Sequence, residues 1–322
     1  MFRTRFDYWR VLLVALILTL PLSTQAQDDK AKKEKKTPTG TPVFWTAPTD
    51  ISSRNLLLGA GGEEMKPDIS KVTFIEQKTG GYSKKYRVRD AKGNEWIAKM
   101  GKEAQPDTAA NRLLWALGYP TEIAYLVPKV TIEGKGDFEN VRFEARPKKV
   151  DRVGNWMWEN NPFQNTAEFR GLKILMVMIN NWDMKDDNNE ILAMRNPSTG
   201  EPELRYIISD LGGTFGKTGG FLSRSRNEPK DFVKADFIKA VKGDVIDFNY
   251  GGKNQKLFSG ITVADARWLS DLFKGLSDEQ IKDAFRAANY TPEEVDTLTT
   301  ALKARIAALA NPAGQSRRTT SN

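Results

Sequence analysis

The segment Ile174-Leu-Met-Val-Met-Ile179 is apolar without a break. A helix with no polar face is buried on every side, so this chain needs a fold in which other elements surround that helix. Asn165 and Glu168 have the spacing of a capping box ahead of it, which predicts a helix from there to about Asn180. The methionines in it read as core filler. The surrounding sequence divides in two. In the first half, Val72–Glu76, Tyr86–Arg89 and Glu95–Met100 are short β-prone runs, separated by Gly80-Gly81 and by Asp90-Ala-Lys-Gly93-Asn94. A helix follows, with Pro106 and Asp107 in its first turn, Leu113, Leu114 and Leu117 on its buried face and Gly118 at C′. Val130–Ile132 and Val141–Ala145 read as two more strands. This half is a small antiparallel sheet with one helix inserted after its third strand.

The second half is mainly helical. Beyond the apolar helix, Glu190–Met194 and Leu204–Ile208 form a hairpin around Asn196-Pro-Ser-Thr-Gly200. Three further helices start at Thr262/Asp265, Ser277/Gln280 and Thr291-Pro292-Glu293-Glu294. The expected class is therefore α+β in two lobes: an N-lobe over 43–146 and a helical C-lobe over 147–310. Residues 27–42 read as a flexible Lys-rich linker and 311–322 as a disordered tail.

Residues 1–26 read as a signal peptide. Arg3, Arg5 and Arg10 precede the apolar stretch Val11–Leu20, Pro21 breaks it, and Thr24 and Ala26 give small residues at the usual cleavage spacing. The stretch is about half as long as a membrane span requires. The expectation is an exported protein, periplasmic or extracellular, with no stable membrane insertion after cleavage; an uncleaved segment would make it membrane-anchored. The net charge of +8 does not indicate a nucleic-acid partner, because the first 36 residues hold eight Lys/Arg against four Asp/Glu and Arg317 and Arg318 lie in the tail.

The chain has no His and no Cys. That excludes Ser-His-Asp and Cys-His catalysis, zinc sites built on imidazole or thiolate, and iron–sulfur or haem ligation. Carboxylate and amide oxygens remain, and they suit Mg²⁺, Mn²⁺ or Ca²⁺. Such groups gather in three places. Lys99 ends the strand Trp96-Ile97-Ala98-Lys99, Asp183-Met-Lys185-Asp-Asp-Asn188 follows the apolar helix, and Asp210-Leu211-Gly212 ends the later hairpin.

In these motifs, and in their order along the chain, the sequence resembles the protein-kinase-like superfamily. Asp183 and Asn188 have the spacing of the catalytic loop, Asp210-Leu211-Gly212 stands where the metal-binding Asp-Phe-Gly occurs, and Lys99 stands at the phosphate-gripping lysine. Asn181-Trp182 replaces the usual His-Arg, and no Ala-Pro-Glu segment follows. The resemblance is thus to atypical members: HipA-type, phosphoinositide-kinase-like and secretory-pathway kinases. It implies a two-lobed kinase-like fold and ATP with Mg²⁺ or Mn²⁺ as cofactor. It further implies Asp183 as the acceptor-orienting base with Lys185 beside it, and Asn188 and Asp210 as metal ligands. Lys99 would be oriented by an acid, Glu103 or Asp107, and Gly80 and Gly81 lie where a phosphate-covering loop would be.

Rival motifs are incomplete. Gly212-Gly-Thr-Phe-Gly216-Lys217-Thr218 is one residue short of a Walker A, and Gly59-Ala-Gly61-Gly62 lacks the last glycine of a dinucleotide fingerprint. An EF-hand loop beginning at Asp183 would have Asn188 and Met194 at positions requiring Gly and Glu. Three functional classes stay open: a phosphotransferase acting on a protein, lipid or small molecule, a catalytically silent nucleotide- or ligand-binding module, and a carboxylate-metal hydrolase using Asp183, Asp186 and Asp187. The export reading has a direct check: mass spectrometry of the exported protein should find an N-terminus at or near Gln27, and an intact Met1 in the membrane fraction would contradict it.

Overall fold

The computed structural model describes residues 39–313; the leader expected over 1–26, the linker as far as 38 and the last nine residues lie outside the described part, and the end of the expected 27–42 linker is corrected, because Thr41 and Pro42 belong to the first strand. The first strand, β1 (Thr41–Val43), pairs in parallel with a strand of the second half. Then β2 (Val72–Lys78), β3 (Lys85–Arg89), β4 (Glu95–Lys99), β5 (Ala124–Glu133) and β6 (Gly136–Ala145) close into a barrel in the order β2-β3-β4-β6-β5. The sequence suggests an open sheet. Closure comes from a short parallel pairing of β2 with β5, Val72 opposite Ile132 and Thr73 opposite Glu133. Strands five and six are also longer than their apolar runs, because Val130–Ile132 and Val141–Ala145 are only the parts of the β5–β6 hairpin with the most apolar character.

The turn between β3 and β4 illustrates how the local sequence sets the barrel. Asp90 accepts from the Asn94 backbone N–H at 2.8 Å, closing the turn, and from Trp96 Nε1 at 3.0 Å. That second bond satisfies the indole of a fully buried tryptophan, which then packs edge-to-face on Tyr125 and Phe143 inside the barrel. The helix after β4, α1 (Ala104–Ala116), turns Leu113, Leu114 and Leu117 away from the barrel core and into the core of the second lobe.

In the second lobe, β7 (Asp151–Gly154) precedes α2 (Ala167–Met178). The α2 cap is Thr166, whose hydroxyl accepts from Phe169 N, so the expected Asn165/Glu168 box is displaced by one residue and Glu168 falls at the second helical position. Phe169 and every residue from Ile174 to Ile179 are buried, as a helix without a polar face requires. Next come β8 (Asn189–Arg195) and β9 (Pro202–Ile208), in a sheet ordered β1-β9-β8-β7. A six-residue helix, α3 (Pro229–Lys234), and the hairpin β10 (Ile238–Lys242)–β11 (Val245–Phe248) occupy a stretch whose sequence reads as irregular. Three helices end the lobe: α4 (Val263–Phe273), α5 (Asp278–Arg286) and α6 (Pro292–Ala310). All three carry the expected reciprocal capping boxes at Thr262/Asp265, Ser277/Gln280 and Thr291/Glu294. Trp156 and Trp158 pack on each other and on Phe169 in the core wall, while Met157 between them is exposed.

The architecture is α+β and two-lobed, with one apolar cluster inside the barrel and a larger one around α2. Among the described residues, no helix is long and apolar enough to cross a membrane. Arg305 of α6 fixes how the large core meets the loop after α2. It donates from one nitrogen to Met178 O (2.7 Å) and Asn180 Oδ1 (2.9 Å), and from the other to Phe232 O (2.9 Å) and Ala235 O (3.0 Å). Arg305→Leu would leave four acceptors without this donor. At roughly 1–3 kcal/mol for each one left unsatisfied in the interior, urea denaturation should register a loss of at least about 3 kcal/mol. Arg305→Lys should recover little of it, since a single ammonium cannot reach both pairs of acceptors.

Candidate functional site

The end of β4 delivers Lys99 to the bottom of a cleft between the lobes, where it is almost wholly buried. Its ammonium lies 3.3 Å from Asp107, 3.3 Å from Glu103 and 3.0 Å from Asp210. The acid expected beside Lys99 is therefore not a single residue. Asp107 hydrogen-bonds it from within α1 and is itself held by Arg142 at 3.6 Å. Glu103, at the start of the same helix, also accepts from Ser83 at 2.5 Å and pairs with Arg226. Burial works against the Lys99 charge, but Asp107 and Asp210 outweigh it, so the lysine pKa is raised from its ordinary value. Burial likewise opposes the Asp210 charge, and Lys99 with the Gly212 N–H outweighs it, leaving the Asp210 pKa below the usual carboxylate value.

Asp210 is set by the backbone. Its own N–H and that of Ser209 donate to Asn188 O, at 3.3 and 2.8 Å, which ties the end of β9 to the loop carrying Asp183 and Asn188. Asp210 Oδ1 then accepts from Lys99 and from Gly212 N. A glycine is needed at 212 because a Cβ there would lie 2.6 Å from Glu103 Cβ; any side chain would push the start of α1 off the Asp-Leu-Gly turn.

The loop after α2 begins with Asn180 in the left-handed region, φ 54°. Asn180 Nδ2 donates to Gly216 O at 2.7 Å and Trp182 N to Gly213 O at 3.2 Å, so this loop and the one after Asp210 are held as a pair. Asn188 Nδ2 donates to Asp183 O at 2.6 Å. Asn188 Oδ1 and Asp210 Oδ2 accept no hydrogen bond among the described residues, and both residues line the cleft. An amide oxygen and a carboxylate oxygen left free in one cleft are the donor types that suit a hard cation such as Mg²⁺ or Mn²⁺. The Asp183 carboxylate faces Lys185 at 3.1 Å. Asp186 does not join it: Asp186 Oδ1 accepts from Trp158 N at 2.9 Å and closes the neighbouring loop, which removes the three-aspartate arrangement a carboxylate-metal hydrolase would use.

The cleft has a volume of about 410 Å³ and contains Lys99, Glu103, Asp183, Lys185, Asn188, Asp210 and Gly81 on its walls. Asp107 is enclosed behind Lys99, and Gly80 stands in open space beside the glycine turn. Two residues of the site carry no sequence signal. Arg226 reaches Glu103 from beyond Asp210. Lys253 reaches Asp183 at 2.9 Å from a distant loop, which is clamped by Lys253 N on Trp182 O (2.9 Å), Tyr250 OH on Asn181 O (2.8 Å) and Asn254 Nδ2 on Met184 O (2.5 Å). The close approach at Gly252, where a Cβ would lie 2.7 Å from Trp182 Cα, was the one visible trace of that clamp.

The element order and this placement match the two-lobed arrangement that the resemblance to the protein-kinase-like superfamily implies. No protein-family model and no curated protein sequence matches the chain. Among solved structures it is similar to the Helicobacter pylori proinflammatory kinase CtkA, at 12% identity over 78% of this chain and 99% of that one, with a TM-score of 0.45. It is also similar to the Rio2 kinase of Chaetomium thermophilum, solved as an ADP/Mg²⁺-phosphoaspartate complex, at 12% identity over 74% and 72% of the two chains, with a TM-score of 0.33.

The two shifted groups give a sign-specific pH expectation. The stability due to Asp210 is complete above the ordinary aspartate pKa, about 3.9, and is lost as pH falls through its lower folded value. The share due to Lys99 is complete below about 10.4 and is lost as pH rises through its higher folded value. Asp107 shifts the other way: its burial raises its pKa against the pull of Arg142 and Lys99. In thermal melts without metal, Asp210→Asn should flatten the acid limb below pH ~4 relative to wild type and leave the melting temperature's dependence on pH near neutrality unchanged.

Proposed function

We propose that this chain is an exported phosphotransferase of kinase-like fold, dependent on ATP and Mg²⁺ or Mn²⁺. The observation that carries this reading is the convergence of Lys99, Asp183, Asn188 and Asp210 on one cleft. Phosphoryl transfer calls for alignment and charge neutralisation more than covalent help. A bound metal-nucleotide supplies the activated phosphoryl group. Lys99, held by Asp107, grips non-transferred phosphate oxygens. Asn188 Oδ1 and Asp210 Oδ2 hold the cation. Asp183 accepts or orients the acceptor hydroxyl, with Lys185 beside it to meet charge on the group in flight. Export rests on the N-terminal sequence pattern, and the acceptor is an external substrate reached after cleavage of the leader.

A silent binding module is the second reading, and one observation favours it. Asp183 carries two lysine ion pairs, at 3.1 and 2.9 Å, which occupy the carboxylate an acceptor hydroxyl would need. Metal-dependent ATP titration beside a transfer assay separates the two. Asp210→Ala should abolish Mg²⁺-dependent binding or weaken it severely. Asp183→Ala should bind ATP as well as wild type or slightly better, because a cleft carboxylate that repels phosphate is gone, yet transfer nothing; an interaction made in the transition state shows in turnover. Wild type that binds ATP and transfers to no acceptor, water and itself included, would establish the silent module. Binding indifferent to both substitutions would place the site elsewhere.

A further inference from the structure

The three most exposed large apolar side chains among the described residues are Tyr82 (80% exposed), Phe221 (81%) and Leu222 (96%). They come from two segments that flank the cleft. Tyr82 is in the glycine turn between β2 and β3 and lines the cleft itself. Phe221 and Leu222 are at the tip of a loop closed at its base by Ser225 N on Lys217 O (3.1 Å) and Lys217 N on Ser225 Oγ (3.1 Å). Between them runs a ladder of alternating rings and guanidiniums. Arg226 lies over Tyr82 (4.8 Å) and over Trp182 (4.6 Å), and Arg224 lies over Trp182 (4.0 Å) and Phe221 (5.3 Å). Trp182 is the residue before Asp183, so the ladder passes directly beside the aspartate assigned to the acceptor.

We infer that this ladder and the Phe221–Leu222 tip form the docking face for the acceptor, and that the acceptor is an acidic polypeptide segment presenting a side-chain hydroxyl. The inference rests on the phosphotransferase reading for the hydroxyl's destination. The docking face stands on its own observations. Exposed apolar groups clustered in one place mark a contact surface. The charge there is complementary to acid: Arg224 makes no ion pair among the described residues, Lys217 is exposed and likewise unpaired, and Lys253 and Lys185 flank Asp183. A guanidinium stacked on a ring keeps its N–H edge free to take a carboxylate in bidentate fashion. A polypeptide is favoured over single-stranded nucleic acid because an aliphatic side chain such as Leu222 offers no ring on which a base can stack. A peptide has apolar side chains that would cover it.

The test uses the full mature chain and three fluorescent probes: an acidic peptide containing Leu, Phe and one Ser, the same peptide with its acids replaced by Lys, and a short oligo(U). Anisotropy titration should give an affinity for the acidic peptide at least about tenfold above either competitor. Phe221→Ser/Leu222→Ser and, separately, Arg224→Glu should each weaken it by a similar factor. Neither variant should change the Kd for Mg·ATP, and in the transfer assay the acidic peptide's KM should rise with kcat little changed. Equal or tighter binding of oligo(U) would overturn the inference in favour of nucleic acid. Acidic-peptide binding that ignores both variants, or no preference for it, would overturn it as well. Failure of Mg·ATP to bind would instead defeat the phosphotransferase reading, and the anisotropy result would still decide the docking face.

Discussion

The Lys99 ion cluster is the constraint from which the rest of the site follows. A lysine this deeply buried stays charged only if carboxylates surround it, and an interior charge without partners costs several kcal/mol. Here the partners come from three separate elements: Glu103 and Asp107 from α1, and Asp210 from the end of β9. Satisfying one ammonium therefore fixes the barrel, the α1 helix and the second-lobe hairpin against each other. The requirement for glycine at 212 belongs to the same closure, because the Asp-Leu-Gly turn must touch the side chain of Glu103 for Asp210 to reach Lys99.

Behind that cluster the charge continues. Asp107 meets Arg142, Arg142 meets Glu122 and Glu144, and Arg152 joins those two acids to Glu190 on β8. The chain of contacts runs from the phosphate end of the cleft to its far end and from one lobe to the other. Burial first, and then the neighbouring Glu144 charge, push Glu122 up to about 7. Glu144 is held low: burial opposes its charge, but Arg146 and Arg142 overcome that. The two acids therefore titrate as a coupled pair, with burial and the Glu144 charge raising Glu122 and the arginines holding Glu144 low. Among the described residues Ile97 is the one aliphatic side chain on the cleft wall, alongside Tyr82, so the wall is otherwise mainly charged and polar.

What the sequence made legible were the features carried by local rules. The apolar helix, the three capping boxes and the Lys, Asp/Asn and Asp-Leu-Gly segments each depend on neighbours within a few residues, and each lies where its pattern indicates. Barrel closure was hidden, because the β2–β5 pairing is two residue pairs long and joins residues sixty positions apart. The shift of the α2 cap from Asn165 to Thr166 reflects two adjacent residues that both cap well, a choice made by the route of the incoming chain. α3 and the β10–β11 hairpin are too short to show a period.

Lys253 shows why the functional site was only partly legible. Nothing in Gly251-Gly252-Lys253-Asn254 marks a lysine for the catalytic loop, and its partner Asp183 is seventy positions away. What places it is a set of donors onto backbone carbonyls of the Asp183 loop: the Lys253 main-chain N–H on Trp182 O, the Asn254 side-chain amide on Met184 O and the Tyr250 phenol on Asn181 O. These bonds satisfy carbonyls of the Asp183 loop in a region where unsatisfied ones are costly. The Tyr250–Asn254 loop therefore has a folding role whatever Lys253 does. The lysine's added effect is electrostatic, since it gives Asp183 a second cation beside Lys185. An acceptor whose own negative charge draws Lys253 away would free the carboxylate for its hydroxyl, while a neutral acceptor would leave Asp183 paired. On the phosphotransferase reading, the two ion pairs that favour a silent module and the basic, aromatic mouth of the cleft would be parts of one arrangement, in which an acceptor of the right charge would release the aspartate.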